Sequence, residues 1–382
     1  MRTGMFVIFF SIVLLVYFSV NYYIYHRGVQ LLPPAAAYKG WLKAGFWILV
    51  STYILGRVIE RFHISWFTDV LTWTGSFWLA AMLYFFMLVL VIDILRVSNF
   101  FIGYFPPLFY TEKFKLGLLA GSISAVFLVV LAGHINAVNT NIRKLTIEID
   151  KPANGVKQVK IALASDIHMG TIIGPNRMNR LVNKIDQMQP DLILFAGDVV
   201  DEDLQPVIRH NLGEVLLKLK APMGIYAITG NHEYIGGVNQ AVKYLEAHNI
   251  TFLRDSAVKI SNAFYLAGRE DRSKNSSGKR KNINEILMAV DKSLPIIMMD
   301  HQPFELDKVV EAGVDVQFSG HTHHGQMWPL NYITQAIYEV SMGYKKKGNS
   351  HFYVSNGYGS WGPPVRIGNR PEIVEVLIRF TR

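Results

Sequence analysis

The sequence predicts an α/β domain of two packed sheets with helices outside, preceded by an α-helical transmembrane region. Three observations carry that reading. Long, nearly charge-free runs crowd residues 1–140 and lift the mean hydropathy to +0.22, high for a soluble enzyme. Beyond them, short apolar runs alternate with helix-like stretches and then give way to strand-rich sequence, the order expected of layered sheets flanked by helices. Five of those short runs end on clusters of Asp, Asn and His. At 382 residues the chain exceeds one average domain. The composition shift divides it into a multi-pass membrane region (1–137), a juxtamembrane linker (138–157) and a layered domain (158–382).

About 20 consecutive apolar residues span a bilayer as a helix. Residues 6–23, 71–95 and 116–135 meet that length, and 41–55 is a shorter candidate with Lys43 near its start. The reading is four helices, or three if the short one drops out. Trp and Tyr near several of the ends suit a membrane interface. Residues 6–23 outrun an ordinary signal-peptide core, and no small-x-small cleavage site follows, so they read as a retained helix. Asp93 and His134 lie near helix ends, within snorkelling reach of the interface, or else mark a polar pathway. Residues 100–109, with Pro106 and Pro107, read as an interfacial loop.

With four helices both termini share a side. That side carries Arg2, Arg57, Arg61, Arg143, Lys144 and Lys151; the other carries Arg27, Lys39, Lys43, Arg96, Lys113 and Lys115. The tallies tie. The free amino terminus tilts the positive-inside rule toward a layered domain in the cytoplasm.

In the layered domain, residues 145–149 read as a first strand within the linker. Strand-like runs follow at 159–164, 192–196, 225–229, 296–299 and 314–319, with further strands at 252–253, 257–260, 264–267, 351–355 and 373–380. Helix-like stretches fall at 177–188, 207–219, 238–248 and 283–291, and Pro190 and Pro222 act as stops after the first two. There is no internal repeat. Residues 272–282 form the one low-complexity-like insertion.

The five apolar runs are followed in turn by Asp166-Ile167-His168, Gly197-Asp198, Gly230-Asn231-His232-Glu233, Asp300-His301-Gln302-Pro303 and Gly320-His321-Thr322-His323. Carboxylate oxygens and neutral imidazoles together suit a hard-to-borderline divalent ion. Each cluster alone has an ordinary explanation. Gly-Asp is a common turn, and Asn231 with Glu233 can open a helix. Five such clusters in order, each closing a strand, predict a two-metal hydrolytic site.

This order of motifs resembles that of the calcineurin-like metallophosphoesterase superfamily, over about residues 155–382. Residues 357–366 (Gly-Tyr-Gly-Ser-Trp-Gly-Pro-Pro-Val-Arg), followed by Asn369-Arg370-Pro371-Glu372, resemble the tail of its membrane-associated bacterial branch. The resemblance implies a four-layer α/β/β/α metallophosphoesterase sandwich. It implies that Asp166, His168 and His323 hold one metal, that Asn231, His301 and His321 hold the other, and that Asp198 bridges them. It gives His232 a role on the phosphoryl oxygen or as proton donor to the departing alkoxide.

The spacing makes chemical sense of that assignment. Alternate side chains of a strand share a face, so Asp166 and His168 point the same way if strand geometry persists to them. An irregular Gly-His-Thr-His turn would let its two imidazoles reach different ions. A carboxylate can bind two cations about 3.5–4 Å apart, a pair that lowers the pKa of a shared water for in-line attack on phosphorus. Oxygen and imidazole donors without thiolate favour Mn or Fe, with Zn as the other candidate. His324 has no evident role, and Asp201 and Glu202 read as a solvated turn or as partners of the ligands.

The formal net charge is +9, with basic clusters at 274–281 and 345–347. Neither is interleaved with aromatics in a nucleic-acid-binding pattern, so no nucleic acid is expected. They read as solvated loops or as contacts to anionic lipid headgroups. With no cysteine there are no disulfides or thiolate ligands, and nothing points to a protein partner. The expected function is a membrane-anchored, metal-dependent phosphoesterase, with a lipid-linked phosphoester as the favoured substrate. A general phosphatase held at the membrane is the alternative, and a non-catalytic scaffold of the same fold is disfavoured because every ligand position is filled.

Overall fold

The computed structural model describes all residues except 1, 34–36, 61, 277 and 382. Arg61, counted above for topology, lies outside the described residues. The chain forms two compact units, Met1–Gly133 and His134–Arg382.

The first unit is helical: α1 (Arg2–Val29), α2 (Lys39–Glu60), α3 (Trp66–Ile102) and α4 (Glu112–Val138), whose last residues belong to the second unit. Among the described residues, α2, α3 and α4 are long and apolar enough to cross a membrane. The short candidate at 41–55 is therefore a full-length helix, extended by Lys39 and Gly40 at one end and to Glu60 at the other. A reciprocal cap starts α3, with Thr68 N bonded to Ser65 Oγ and Ser65 N to Thr68 Oγ1, and Gly103 in left-handed conformation ends it. The unit is cross-linked by polar contacts. Tyr17 donates to Val50 O at 2.6 Å, and the Trp78 indole donates to Asn21 Oδ1 at 2.9 Å. Asp93 accepts from Tyr23 and Arg27 of α1.

The second unit holds two six-stranded sheets. Its elements in order are β1 (Asn141–Ile149), β2 (Gln158–Ala164), α5 (Pro175–Met188), β3 (Leu192–Phe195), α6 (Gln205–Arg209), α7 (Leu212–Leu216), β4 (Ile225–Ala227), α8 (Asn231–Gly236), α9 (Val238–Glu246) and β5 (Thr251–Phe252). There follow β6 (Ser256–Ile260), β7 (Phe264–Gly268), α10 (Ile283–Ile286), β8 (Ile296–Met299), α11 (Leu306–Glu311), β9 (Val316–Ser319), α12 (Asn331–Ile337), β10 (Gly343–Lys347), β11 (Ser350–Val354) and β12 (Glu372–Phe380). One sheet runs β1-β12-β2-β3-β4-β5, the other β10-β11-β9-β8-β7-β6.

Strand periodicity builds the layers. Ile161, Leu163, Leu192 and Leu194 face a core shared with Ile297, Met299, Val316 and Phe318 of the other sheet. Their alternates Ala162, Ala164, Ile193 and Phe195 face α5, α7 and α9, while Ile296 and Met298 face α10 and α11. Strands buried on both faces read as continuous apolar runs, which is why the sequence shows them. The result is the four-layer α/β/β/α sandwich.

Several expectations change. The first strand expected at 145–149 is longer, since β1 starts at Asn141 and pairs in parallel with β12 along nine residues. Its inward Ile147 and Ile149 are buried, and a strand with one wet edge looks polar in sequence. The stretch 207–219 is split into α6 and α7 at Asn211, which is left-handed at φ 50°. The helix expected at 283–291 is a single turn. His134, at the end of α4, has Nδ1 2.8 Å from Pro364 O. The basic clusters are largely neutralised. Lys274 pairs with Asp255, Arg280 with Asp300, and Lys345 and Lys347 with Glu339.

Candidate metal centre

The five motifs converge at the carboxyl ends of β2, β3 and β4 in one sheet and of β8 and β9 in the other, where open α/β sheets place their ligands. Backbone bonds hold the loops in register after the strands end. Asp166 N reaches Gly197 O and His168 N reaches Asp198 O, both at 3.0 Å, and Gly320 N reaches His301 O at 2.9 Å.

Strand geometry does not persist to Asp166 and His168. Both have φ of 52°, as does Asp198, while His321 and His323 have φ of 72° and 44°. Left-handed backbone is uncommon for residues other than Gly and clusters at functional sites. These side chains are therefore aimed by turns, not by strand alternation. Two glycines make room for them. A Cβ on Gly320 would overlap Ser165 and Asp166, and one on Gly230 would overlap the Asp198 carboxylate.

Ligand-type atoms fall into three groups, each within 4.8 Å: Asp166, His168 and His323; His168, Asp198 and His232; and Asp198, His301 and His321. Asp198 belongs to two of them. Its Oδ2 lies 3.1 Å from His301 Nε2 and 4.0 Å from His168 Nε2. Asn231 joins the third group through its Oδ1, 2.8 Å from His321 Nδ1. All eight residues predicted for the site are thus brought together.

The site fits divalent cations. His301 is fully buried; its Nδ1 donates to Ala196 O at 2.7 Å, so Nε2 is the atom left to face a metal ion. Nε2 has no hydrogen-bond partner, being misaligned with Asp198. Burial would lower the His301 pKa, but the Asp198 carboxylate beside it raises it well above the ordinary value. A buried pocket that pulls a proton onto imidazole is one that calls for positive charge. Burial would raise the Asp198 pKa, yet His301 and His232 hold it far below the usual carboxylate range. Burial lowers His321 to about 4, with His301 adding to the effect, so its imidazole is neutral at physiological pH.

His232 stands apart. Its Nδ1 is 3.1 Å from Asp201 Oδ1, and its backbone N donates to Asp198 Oδ1 at 2.9 Å. Burial works against its charge, but Asp198 and the Asp201 hydrogen bond outweigh it and raise the pKa to about 9. Asp201 thus partners the histidines and is no mere solvated turn.

Sequence reasoning missed two supports. Glu233, fully buried, accepts from the backbone N of Asp198, Val200 and Gly230 at 3.1, 2.9 and 2.7 Å. It clamps the β3 and β4 loops together. Burial and the nearby Asp198 raise its pKa to about 7 against those hydrogen bonds. Arg366, also fully buried, donates to Asn356 O, Gly359 O and Asn369 Oδ1, and Nη2 lies 3.1 Å from His323 Nδ1. Asn369 in turn donates to His323 O at 3.0 Å. For Arg366 and Asn369 the available signal was the carboxy-terminal stretch itself, the run 357–366 that ends on Arg366 and the Asn369 that follows it.

The family profile for calcineurin-like phosphoesterases matches residues 159–325, which contain every one of these motifs. An uncharacterized metallophosphoesterase of Aquifex aeolicus is 32% identical over 265 residues, covering 66% of this chain and 98% of that one. One of Helicobacter pylori is 31% identical, covering 55% of this chain and 57% of its own. A zebrafish (Danio rerio) transmembrane protein with metallophosphoesterase domain is 28% identical, over 70% of this chain and 63% of its own length. The chain belongs to the calcineurin-like phosphoesterase family, a family of hydrolases. With its long apolar helices, it is a membrane member of that family.

Proposed function

We propose that this protein is a dinuclear-metal phosphoesterase of the membrane whose substrate is an amphiphilic phosphoester. The observation that carries the reading is Asp198, whose carboxylate is shared between two groups of ligand-type side chains. Asp166, His168 and His323 would hold one divalent ion, and Asn231, His301 and His321 the other, with Asp198 touching both. Mn or Fe suits these oxygen and imidazole donors better than Zn. When bound, such a pair polarises the phosphoryl group and activates a water for in-line attack.

The chain's own groups complete the site. His232, oriented by Asp201 at its Nδ1, would donate a proton to the leaving oxygen. Glu233 and Arg366 hold the loops that carry Asp198 and His323. Counting α1 as a fourth span beside α2, α3 and α4 puts the amino terminus and the catalytic unit on one side of the membrane, and we assign that side to the cytoplasm. The chain has no cysteine, so labelling of single introduced cysteines reads the topology directly.

The test is hydrolysis by full-length protein with Mn²⁺, comparing bis(p-nitrophenyl) phosphate with long-chain phosphatidic acid in mixed micelles. The reading expects turnover of both and a higher kcat/KM for the lipid. Equal efficiency would leave the general, membrane-held phosphatase. No turnover of any phosphoester by metal-loaded protein would overturn the assignment.

A further inference from the structure

A cavity of about 790 Å³ lies inside the helical unit, lined by residues of all four helices. Binding sites for small molecules run to roughly 300–1,000 Å³ and are mostly apolar with a few placed polar groups. This one has that make-up. Phe46, Trp78 and Phe85 form one aromatic wall, with ring centroids 5.4 and 6.1 Å apart in succession.

The charged lining is unequal. Arg27, Arg96 and Lys115 face the cavity against a single carboxylate, Asp93. Asp93 Oδ2 accepts from Tyr23 at 2.5 Å and from Arg27 at 2.7 Å, and Arg96 stands 3.8 Å from the other oxygen. One anion is thus already engaged by two guanidinium groups, and a surplus of positive charge remains. A pair of arginines with planar donors suits an anionic headgroup.

Gly45, within α2, lines the cavity, and a Cβ there would meet nothing within 4 Å, so the wall beside it is open.

We propose that the helical unit binds one anionic phospholipid of the surrounding bilayer in this cavity, its headgroup at Arg27 and Arg96 and a chain along Phe46, Trp78 and Phe85. The site is independent of the metal centre. Each Arg near a headgroup adds roughly fivefold in affinity.

The experiment is native mass spectrometry of full-length protein in mild detergent with equimolar phosphatidylglycerol and phosphatidylcholine. The expected result is one retained phosphatidylglycerol, preferred by roughly fivefold or more. Gly45→Phe, which fills the cavity, should lose the bound lipid. Arg96→Gln, at a half-exposed side chain, should keep a lipid but lower the headgroup preference roughly fivefold, and it decides the matter if Gly45→Phe fails to fold. Equal retention of the two lipids by the wild type would overturn the proposal. So would unchanged retention in a Gly45→Phe protein that elutes as the wild type does.

Discussion

The Nε2 atoms of His168 and His323 face each other at 3.0 Å, with Asp166 Oδ1 3.4 Å from the latter. Arginine can only donate, so the Arg366 contact makes His323 Nδ1 an acceptor and leaves its one ring proton on Nε2, pointing at His168. Two imidazoles and a carboxylate are thus gathered around a single proton, a place that a divalent ion can take. A divalent ion held through His323 Nε2 would move that proton to Nδ1 and give up the Arg366 contact there. Arg366 keeps Asn356 O, Gly359 O and Asn369 Oδ1 as its anchors.

From this arrangement His323→Ala should empty one metal position and spare the other. Metal content should fall from about two ions per chain to about one, and turnover by roughly 10²-fold or more, the loss typical of removing one transition-state stabiliser. Elemental analysis and kinetics on the same sample check it. Loss of both ions would mean that the two positions do not fill independently.

His232→Ala should separate chemistry from metal binding. Occupancy should stay near the wild-type level while kcat falls roughly 10²–10⁴-fold on substrates with alkoxide leaving groups. On nitrophenyl esters, whose leaving group needs no proton, the loss should be smaller. An emptied site in this variant would make His232 a ligand instead of a proton donor.

Arg366→Lys should be far from conservative. A lysine carries one compact ammonium where the guanidinium now reaches three carbonyl-type acceptors and His323. Each buried acceptor left without a donor costs about 1–3 kcal/mol, so the melting temperature in detergent should drop measurably. An unshifted melt would show that the tail is not held by Arg366.

Acid sensitivity should depend on Asp255. Burial would raise its pKa, but hydrogen bonds from Glu270 N, Lys274 and Lys281 N outweigh burial and lower it. A carboxylate with a depressed folded pKa contributes stability that is present above its unfolded pKa of about 3.9 and is lost as pH falls through the folded value. Asp255→Asn should therefore lower stability at neutral pH and flatten the acid limb below about pH 4. Melting curves from pH 3 to 7 check both effects, and a parallel shift of the whole curve would contradict the role given to this carboxylate.

Of the strands with two buried faces, β3 and β8 were legible as unbroken apolar runs, and β2 and β9 as mainly apolar runs interrupted at Lys160 and Gln317; all four lead into the site residues. β10 was not, because its Lys345-Lys346-Lys347 looks like a solvated patch until Glu339 and Asp307 are placed beside it. α12 escaped for a related reason: none of its residues is buried, so it lacks a core-facing period. The site residues could be named from order and spacing, but not how they are aimed. The left-handed backbone at Asp166, His168 and Asp198 is set by bonds to neighbouring loops. Arg366 acts across a sequence separation of 43 residues from His323, which no local pattern records.

The central claim is that Asp198 serves two metal positions at once, and Asp198→Asn tests it most directly. An amide bears no charge and offers one carbonyl oxygen where the carboxylate offers two. Metal stoichiometry and phosphoester turnover should be measured together on full-length wild type and variant, after loading with Mn²⁺ and removal of free metal. The wild type should hold about two ions per chain. The variant should hold fewer than one and show no turnover above background. Two retained ions with undiminished turnover in Asp198→Asn would contradict the account.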